Sequence, residues 1–360
     1  MPPLDHAAVP RSPAVAAVVV EPGQDPAVAV TGYADTAIGR LADAGTVLHA
    51  CSAAKAVTAV VVLRLAQDGL LDLDDDVRRW VPVPLDPAAG GRGPTLRELL
   101  RHAGGVTDPA GSFEPAEGAA PPLLDVLAGR PGAHPGPVRV AHAPGSGFRY
   151  ADGGYCLLER VVEVATGLPF AAAAHRAVVA PLGLTATAFW AGTDPGAASD
   201  PGASADPALR EVLHRVAARA AAGHRTDGSR VPGVRRHYPG LAASGLWTTP
   251  AELGVLLTDL GRAWAGADDA VLLDARHAAA MLDDAAEPGV GLGVFVLGAA
   301  RGVCVMTQGW GDGFQCQARV YPQQGGVLAV LTNADPGVDQ ASSVVGAMLR
   351  RLAGARGWAA

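Results

Sequence analysis

From Ser52 to about Asp68 the chain reads SAAKAVTAVVVLRLAQD, a stretch whose spacing predicts a helix apolar on nearly every face. Val57, Val61, Leu63 and Leu65 supply its apolar body, and Gly69 stops it. A helix with no polar face has no side to turn to water, so the rest of the chain has to enclose it. With 360 residues, 49% of them hydrophobic and 18% charged, there is material for those layers, and wholesale disorder is excluded.

The enclosing elements are legible at both ends. Ala14–Val20 and Ala27–Tyr33 are apolar, β-branched runs about the turn Glu21-Pro-Gly-Gln-Asp-Pro26, which predicts a hairpin. Strands return at Gly293–Leu297, Val303–Thr307, Gln315–Tyr321 and Val327–Thr332, and Val338–Leu352 closes the chain as a helix. Between them, helical patterns such as Leu96–His102, Tyr155–Thr166 and Arg210–Ala222 alternate with Pro/Gly loops, and Thr193–Ala208 reads as a disordered surface excursion. The expected fold class is α/β (α+β): an antiparallel sheet of N- and C-terminal strands flanked by helices, with an inserted, mostly helical domain. Residues 1–69 and 289–360 would form the sheet domain, residues 70–288 the helical one, with the active site at their interface.

Charge and cysteine usage exclude several function classes. The balance of 35 acidic to 28 basic residues, formal net charge −7, argues against a nucleic-acid or anionic-membrane partner. No apolar run nears the roughly 20 residues that span a bilayer. The start Met1-Pro-Pro-Leu lacks the cationic opening of a signal peptide, so a cytoplasmic location is expected. Cys51, Cys156, Cys304 and Cys316 show no CxxC spacing, and neither a metal nor an organic cofactor is expected. The aspartates at 72, 74, 75 and 76 lack the glutamate and glycine of a calcium loop and read as a solvated turn.

Of the 28 basic residues, 27 are arginine and one, Lys55, is lysine. It stands three residues after Ser52, so hydroxyl and amine share one helix face. With ten serines in the chain, a sole lysine falls three residues after one of them in about 3% of arrangements. A serine hydroxyl needs a base to become a nucleophile, and a desolvated amine is one candidate, because burial disfavours its charged form. At a helix start, free backbone N–H groups favour a nearby oxyanion. A second constellation is Phe148-Arg-Tyr150-Ala-Asp152, on a loop that opens a helix; a phenol beside an ammonium can relay a proton between the serine and a leaving group. The third is Thr307-Gln-Gly-Trp-Gly-Asp-Gly313, where glycine lets a strand backbone approach a ligand. His102 and Cys51 read as structural, and Trp247 and Trp310 as either pocket walls or core.

The order SxxK, Tyr-x-Asp and Gly-rich strand resembles the serine β-lactamase and penicillin-binding-protein family, most of all its class C, esterase and D-aminopeptidase branch. Ser52–Asp76, with its GLLDLDDDV run, is similar to that branch's nucleophile helix and the segment after it. Leu99-Leu-Arg-His-Ala-Gly-Gly105, Pro144–Thr166, Pro181-Leu-Gly-Leu184, Leu241–Glu252 and Phe314–Asn333 resemble further segments of it. The resemblance implies a β-lactamase/transpeptidase-like fold and a two-step acyl transfer. Ser52 would attack a carbonyl, Lys55 with Tyr150 would move the proton, and the N–H groups of Ser52 and about Trp310 would hold the oxyanion.

Two departures shape the expected chemistry. Asp152 stands where the family usually has asparagine, and a carboxylate there favours a protonated Lys55, moving the base role to Tyr150. The third motif usually opens with a cation; aligned on Gly309 this chain has Thr307, and one residue along Gln308. Neutral groups beside Trp310 suit an uncharged substrate. The expectation is a serine acyl hydrolase, an esterase or amidase acting on a small neutral ester or amide. An acyltransferase passing the acyl group to an amine or alcohol in specialised metabolism is the alternative, and a non-catalytic binding protein the third reading.

Overall fold

The computed structural model describes residues 12–117, 119–192, 206–299 and 302–358. Its centre is a six-stranded antiparallel sheet made from both ends of the chain. The strands are β1 (Val15–Val20), β2 (Ala27–Thr31), β3 (Phe295–Ala299), β4 (Gly302–Gly311), β5 (Phe314–Tyr321) and β6 (Gly326–Thr332), in the spatial order β3-β4-β5-β6-β1-β2. The closing register pairs Val15 with Thr332 and Val20 with Val327, so the first strand joins the last. The hairpin and the four returning strands stand where the sequence places them, with ends shifted by a few residues. The excursion expected at 193–208 falls almost wholly outside the described residues.

Alternation along β1 explains why the strand is apolar throughout. Ala16, Val18 and Val20 face the main core, whereas Ala17 and Val19 face a second cluster with Val345, Leu349 and Ala353. That second cluster is the inner side of the C-terminal helix, Val344–Gly354, which starts later than expected because Gln340–Ser342 forms a separate 3-10 turn. Each fully buried Val or Leu there contributes roughly 1.5–3 kcal/mol. On the opposite face lies the helix Pro250–Trp264. Its Gly254 leaves a space where a Cβ would come within 2.9 Å of Val18, so helix and sheet meet closely. A helix from the 70–288 stretch thus forms one cover of the sheet.

Three further helices position the site. Helix α1 (Ala54–Gln67) is enclosed as its sequence demands: Ala54 to Leu63 is buried without a break. It begins later than expected, since Ser52 lies in a single 3-10 turn, Cys51–Ala53, in front of it. Helix α2 (Asp152–Thr166) starts at Asp152 rather than Tyr155, because the Asp108 carboxylate caps it, accepting from the N–H groups of Asp152 (2.6 Å) and Gly153 (3.1 Å). Helix α3 (Leu241–Ser244) is a single turn packed against both. The middle of the chain also holds short strands that sequence reading passes over. Leu48–His49, Leu246–Thr248 and Ala188–Phe189 form a small antiparallel sheet, pairing Trp247 with His49 just before the Ser52 turn. Two-residue strands carry too little periodicity to be seen in a sequence.

Candidate active site

Ser52 follows a residue in the left-handed region: Cys51 has φ 50°. For a residue with a Cβ this costs of order 1–3 kcal/mol and persists only where the surroundings enforce it. Strand β4 does the enforcing. A Cβ on Gly309 would lie 2.1 Å from Ala50 O and 2.9 Å from Ser52 N, and one on Gly311 would lie 3.1 Å from Cys51 Sγ. The glycines of the third motif therefore let the strand backbone press against the Ser52 turn.

Lys55, on the first turn of α1, is 3% exposed, and each of its three N–H donors has an acceptor. Nζ donates to Ser52 Oγ at 3.2 Å, to Asp152 Oδ1 at 2.6 Å and to Ala243 O at 2.9 Å. Burial alone would pull the lysine pKa down. The Asp152 carboxylate, followed by the Tyr150 phenol, outweighs it and raises the pKa above its ordinary value. Of the two forms the sequence leaves open for Lys55, this pairing favours the ammonium, held by the carboxylate that departs from the family pattern.

Tyr150 arrives from the loop before α2. Its ring stacks on His102, centroids 4.3 Å apart at 28°, and Lys55 Nζ lies 4.8 Å from its centre. The ring is 47% exposed, so one face opens to solvent. His102 is a support. Its Nδ1 accepts from the Ala151 N–H at 3.2 Å, which puts the proton of the neutral ring on Nε2. Burial, aided by the Lys55 charge, lowers its pKa to about 3 and keeps it neutral. Asp108, which sequence reading missed, holds the first turn of α2 and thereby Asp152. Burial and then the Asp152 charge raise its pKa.

Ser52, Lys55, Tyr150, Thr307, Gln308, Gly309 and Trp310 all line one cleft of about 410 Å³, so residues far apart in sequence do meet. Asp152 lies behind Lys55. Gln308 Oε1 accepts from Gln317 Nε2 at 2.9 Å, the cross-strand partner fixing its amide. The Trp310 indole, 44% exposed, donates to Asp335 Oδ1 at 2.8 Å. Trp247 is no wall: it is fully buried, stacked on His49 behind the turn. Leu100, Phe148, Val294 and Phe295 line the cleft as well: Phe148 stands in the second motif, Leu100 in the segment Leu99–Gly105, and Val294 and Phe295 in the strand expected at Gly293–Leu297, though the sequence singles out none of them for the site. Among the described residues no group of three or more His, Cys, Asp or Glu is placed to hold a metal, and no helix is long and apolar enough to cross a membrane.

Residues 6–350 match the model of the Beta-lactamase family. The chain belongs to the beta-lactamase family. Among curated relatives it is 35% identical over 165 residues to Esterase EstB of Burkholderia gladioli, a match covering 42% of this chain and 41% of that protein. It is 28% identical over 159 residues to Protein flp of Staphylococcus aureus (strain N315), covering 44% and 31%. These matches span less than half of each relative. A D-amino acid amidase from Ochrobactrum anthropi SV3, solved with L-phenylalanine amide, has the same fold with a TM-score of 0.72, 20% identity and coverage of 96% of this chain and 94% of that one. A penicillin binding protein from Bacillus halodurans superposes with a TM-score of 0.69, 20% identity and coverage of 94% and 95%. At this identity the likeness concerns the fold, and it is the β-lactamase/transpeptidase-like one expected of the chain.

Proposed function

We propose that the protein is a serine acyl hydrolase, an esterase or amidase that acts on a small neutral ester or amide through an acyl-serine. The observation that carries the reading is Lys55, which touches the Ser52 hydroxyl and lies over Tyr150 while its third and fourth neighbours, Asp152 and Ala243 O, keep it charged. An ammonium with three committed donors has no lone pair to take a proton. The base is therefore the phenolic oxygen of Tyr150, and Lys55 orients Ser52 and stabilises the phenolate.

In the first step Ser52 Oγ forms a bond to the substrate carbonyl carbon and its proton passes to Tyr150. The tetrahedral oxyanion rests on the N–H groups of Ser52 and Trp310. The ladder supports the second donor. Gly311 and Phe314 close the two-residue turn, so alternation turns Gly309 and Gly311 towards β5 and Trp310 N–H outwards. Strand β3 pairs only as far as Met306, which leaves that edge uncovered. As the bond to the leaving group breaks, Tyr150 returns the proton to it. Water, deprotonated by Tyr150, then adds to the acyl carbon, and as the bond to Ser52 Oγ breaks Tyr150 returns that proton to Oγ, freeing the acid and restoring the site.

The relatives named an esterase and an amidase support acyl transfer as the chemistry, and the cleft supports a neutral substrate: Lys55 is the one cation among its described lining residues and is already paired. A fluorophosphonate probe read by intact mass tests the reading. One adduct on the wild type that is lost in Ser52→Ala is expected. Absence of labelling and of p-nitrophenyl acetate turnover would overturn it in favour of a binding protein. Tyr150→Phe should lower kcat by about 10²–10⁴ with KM nearly unchanged, the scale of a lost general base.

A further inference from the structure

The last carbonyls of α3 all face the segment that carries the nucleophile. Ala242 O accepts from Thr58 Oγ1 at 2.8 Å, Ala243 O from Lys55 Nζ at 2.9 Å, and Ser244 O from the ring Nε2 of His49. A helix end leaves such carbonyls without intrahelical partners, so these contacts fasten α3 to α1 and to the strand before it.

His49 makes a second contact. A carbonyl only accepts, so Nε2 must carry the ring proton, and a neutral ring then offers a lone pair at Nδ1. Cys51 Sγ lies 3.3 Å from Nδ1, placed to donate its S–H. Both groups stay in these forms: burial lowers the His49 pKa to about 4 and pushes the Cys51 thiol well up. The ring is held flat against Trp247, centroids 4.7 Å apart at 20°, with the edge of Phe314 at 5.7 Å. Cys51 is the left-handed residue that aims Ser52, and Ser244 follows the residue whose carbonyl holds Lys55.

We propose that His49 is a positioning residue: through Nε2–H on Ser244 O and Nδ1 on the Cys51 thiol it locks the Ser52 turn to the helix end that grips Lys55, and so sets the spacing of hydroxyl and ammonium. This rests on the reading of Ser52 as nucleophile. His49 is 2% exposed and does not line the cleft, so it acts only through its two partners.

His49→Phe keeps the ring stack and removes both bonds; His49→Gln restores a donor for Ser244 O. The test measures the second-order rate of fluorophosphonate labelling per folded molecule, with kcat and KM for p-nitrophenyl acetate. A displacement of the nucleophile by a fraction of an ångström predicts a loss of about 10-fold or more in labelling rate and kcat for His49→Phe, KM within about 2-fold, and recovery to within about 3-fold of wild type for His49→Gln. A folded His49→Phe labelled at the wild-type rate overturns the proposal. Should that variant not fold, Cys51→Ala, which removes only the Nδ1 partner, takes its place, with an expected loss of about 3-fold. Ring ¹⁵N shifts give a readout independent of activity: an Nε2-protonated neutral ring is expected, and an Nδ1-protonated one overturns the proposal. A wild type that never labels strikes the hydrolase reading instead, and the tautomer then still decides the role of His49.

Discussion

Lys55 donates to the Asp152 carboxylate at 2.6 Å and to the Ser52 hydroxyl at 3.2 Å, so the amine beside that hydroxyl is a counter-charged ammonium. Removing the carboxylate should expose what burial does to the amine. In Asp152→Asn the larger of the two influences that oppose desolvation is gone and only Tyr150 remains, so the Lys55 pKa falls and a lysine ionisation enters the alkaline limb of kcat/KM, where wild type has none. Stability moves too. The folded pKa of Lys55 lies above its ordinary 10.5, so the contribution of the charged lysine is present at neutral pH and is lost as pH rises through the folded value. At pH 7 the variant should lose about 2 kcal/mol in urea unfolding. That is less than the 3–5 kcal/mol of fully buried pairs, because the Asp152 side chain is 26% exposed. An unchanged pH profile and midpoint would refute it.

The same pair shows how far the sequence could be read. A sole lysine three residues from a serine was visible, and so was the carboxylate two residues after Tyr150. Asp152 already favoured the ammonium in the sequence; the 2.6 Å contact that makes the two an ion pair is what no spacing reports across the 97 residues from Lys55 to Asp152. The strands at both termini were legible as apolar, β-branched runs, of which Val15–Val20 and Gly326–Thr332 are buried on both faces. Their joining into one sheet followed from the helices between them. By contrast the Ala243 carbonyl acts through a backbone atom, Val294 and Phe295 through plain bulk, and the Asp108 carboxylate caps a helix that begins 44 residues later in the sequence, so none of them leaves a local pattern to detect. Trp247 and Trp310 have identical side chains. Only the fold sends one behind the nucleophile turn and the other to the rim.

Glu159, in the body of α2, is buried and accepts from the Ala242 N–H at 2.8 Å, gripping the start of the same α3 turn whose other end holds Lys55. Burial raises its pKa from 4.5 to about 8, against the pull of that N–H. The folded state therefore binds a proton that the unfolded chain releases between those values, and stability declines as pH rises from about 4.5 towards 8. Glu159→Gln keeps an acceptor for Ala242 and removes the titration. Its Tm relative to wild type should rise by about 2 °C or more from pH 5 to pH 9. Parallel Tm curves for the two proteins would contradict this.

Phe148 and Phe295, ring centroids 6.4 Å apart, form an apolar wall facing a cleft with no unpaired cation among its described lining residues. Each methylene buried there is worth about 0.8 kcal/mol, close to 4-fold in kcat/KM. The preference for p-nitrophenyl butyrate over acetate should consequently drop by about 10-fold in Phe148→Ala, while acetate turnover changes little. Benzylpenicillin, an anion, should be turned over at least about 10³-fold less efficiently than the acetate ester, since nothing replaces the missing third-motif cation to offset desolvation of its carboxylate. Turnover of penicillin at ester-like rates would refute the neutral-substrate reading.

Gly309 gives the sharpest test of how the third motif works, because its role is steric. A methyl there would sit 2.1 Å from Ala50 O, 2.8 Å from Cys51 Cβ and 2.9 Å from Ser52 N, and the first and last of these are backbone atoms with no rotamer to escape into. Either β4 withdraws from the Ser52 turn or the turn relaxes from the φ of 50° at Cys51; both separate Ser52 N–H from Trp310 N–H. Gly309→Ala should thus cost about 1–3 kcal/mol of stability through overpacking and, in the molecules that remain folded, about 10²-fold in kcat through the misplaced oxyanion donors. Gly298→Ala is the control, since a Cβ at Gly298 on β3 meets nothing within 4 Å. If the glycine served only to let a ligand approach the strand, Gly309→Ala would raise KM and leave the fluorophosphonate labelling rate of Ser52 and the melting temperature near wild type.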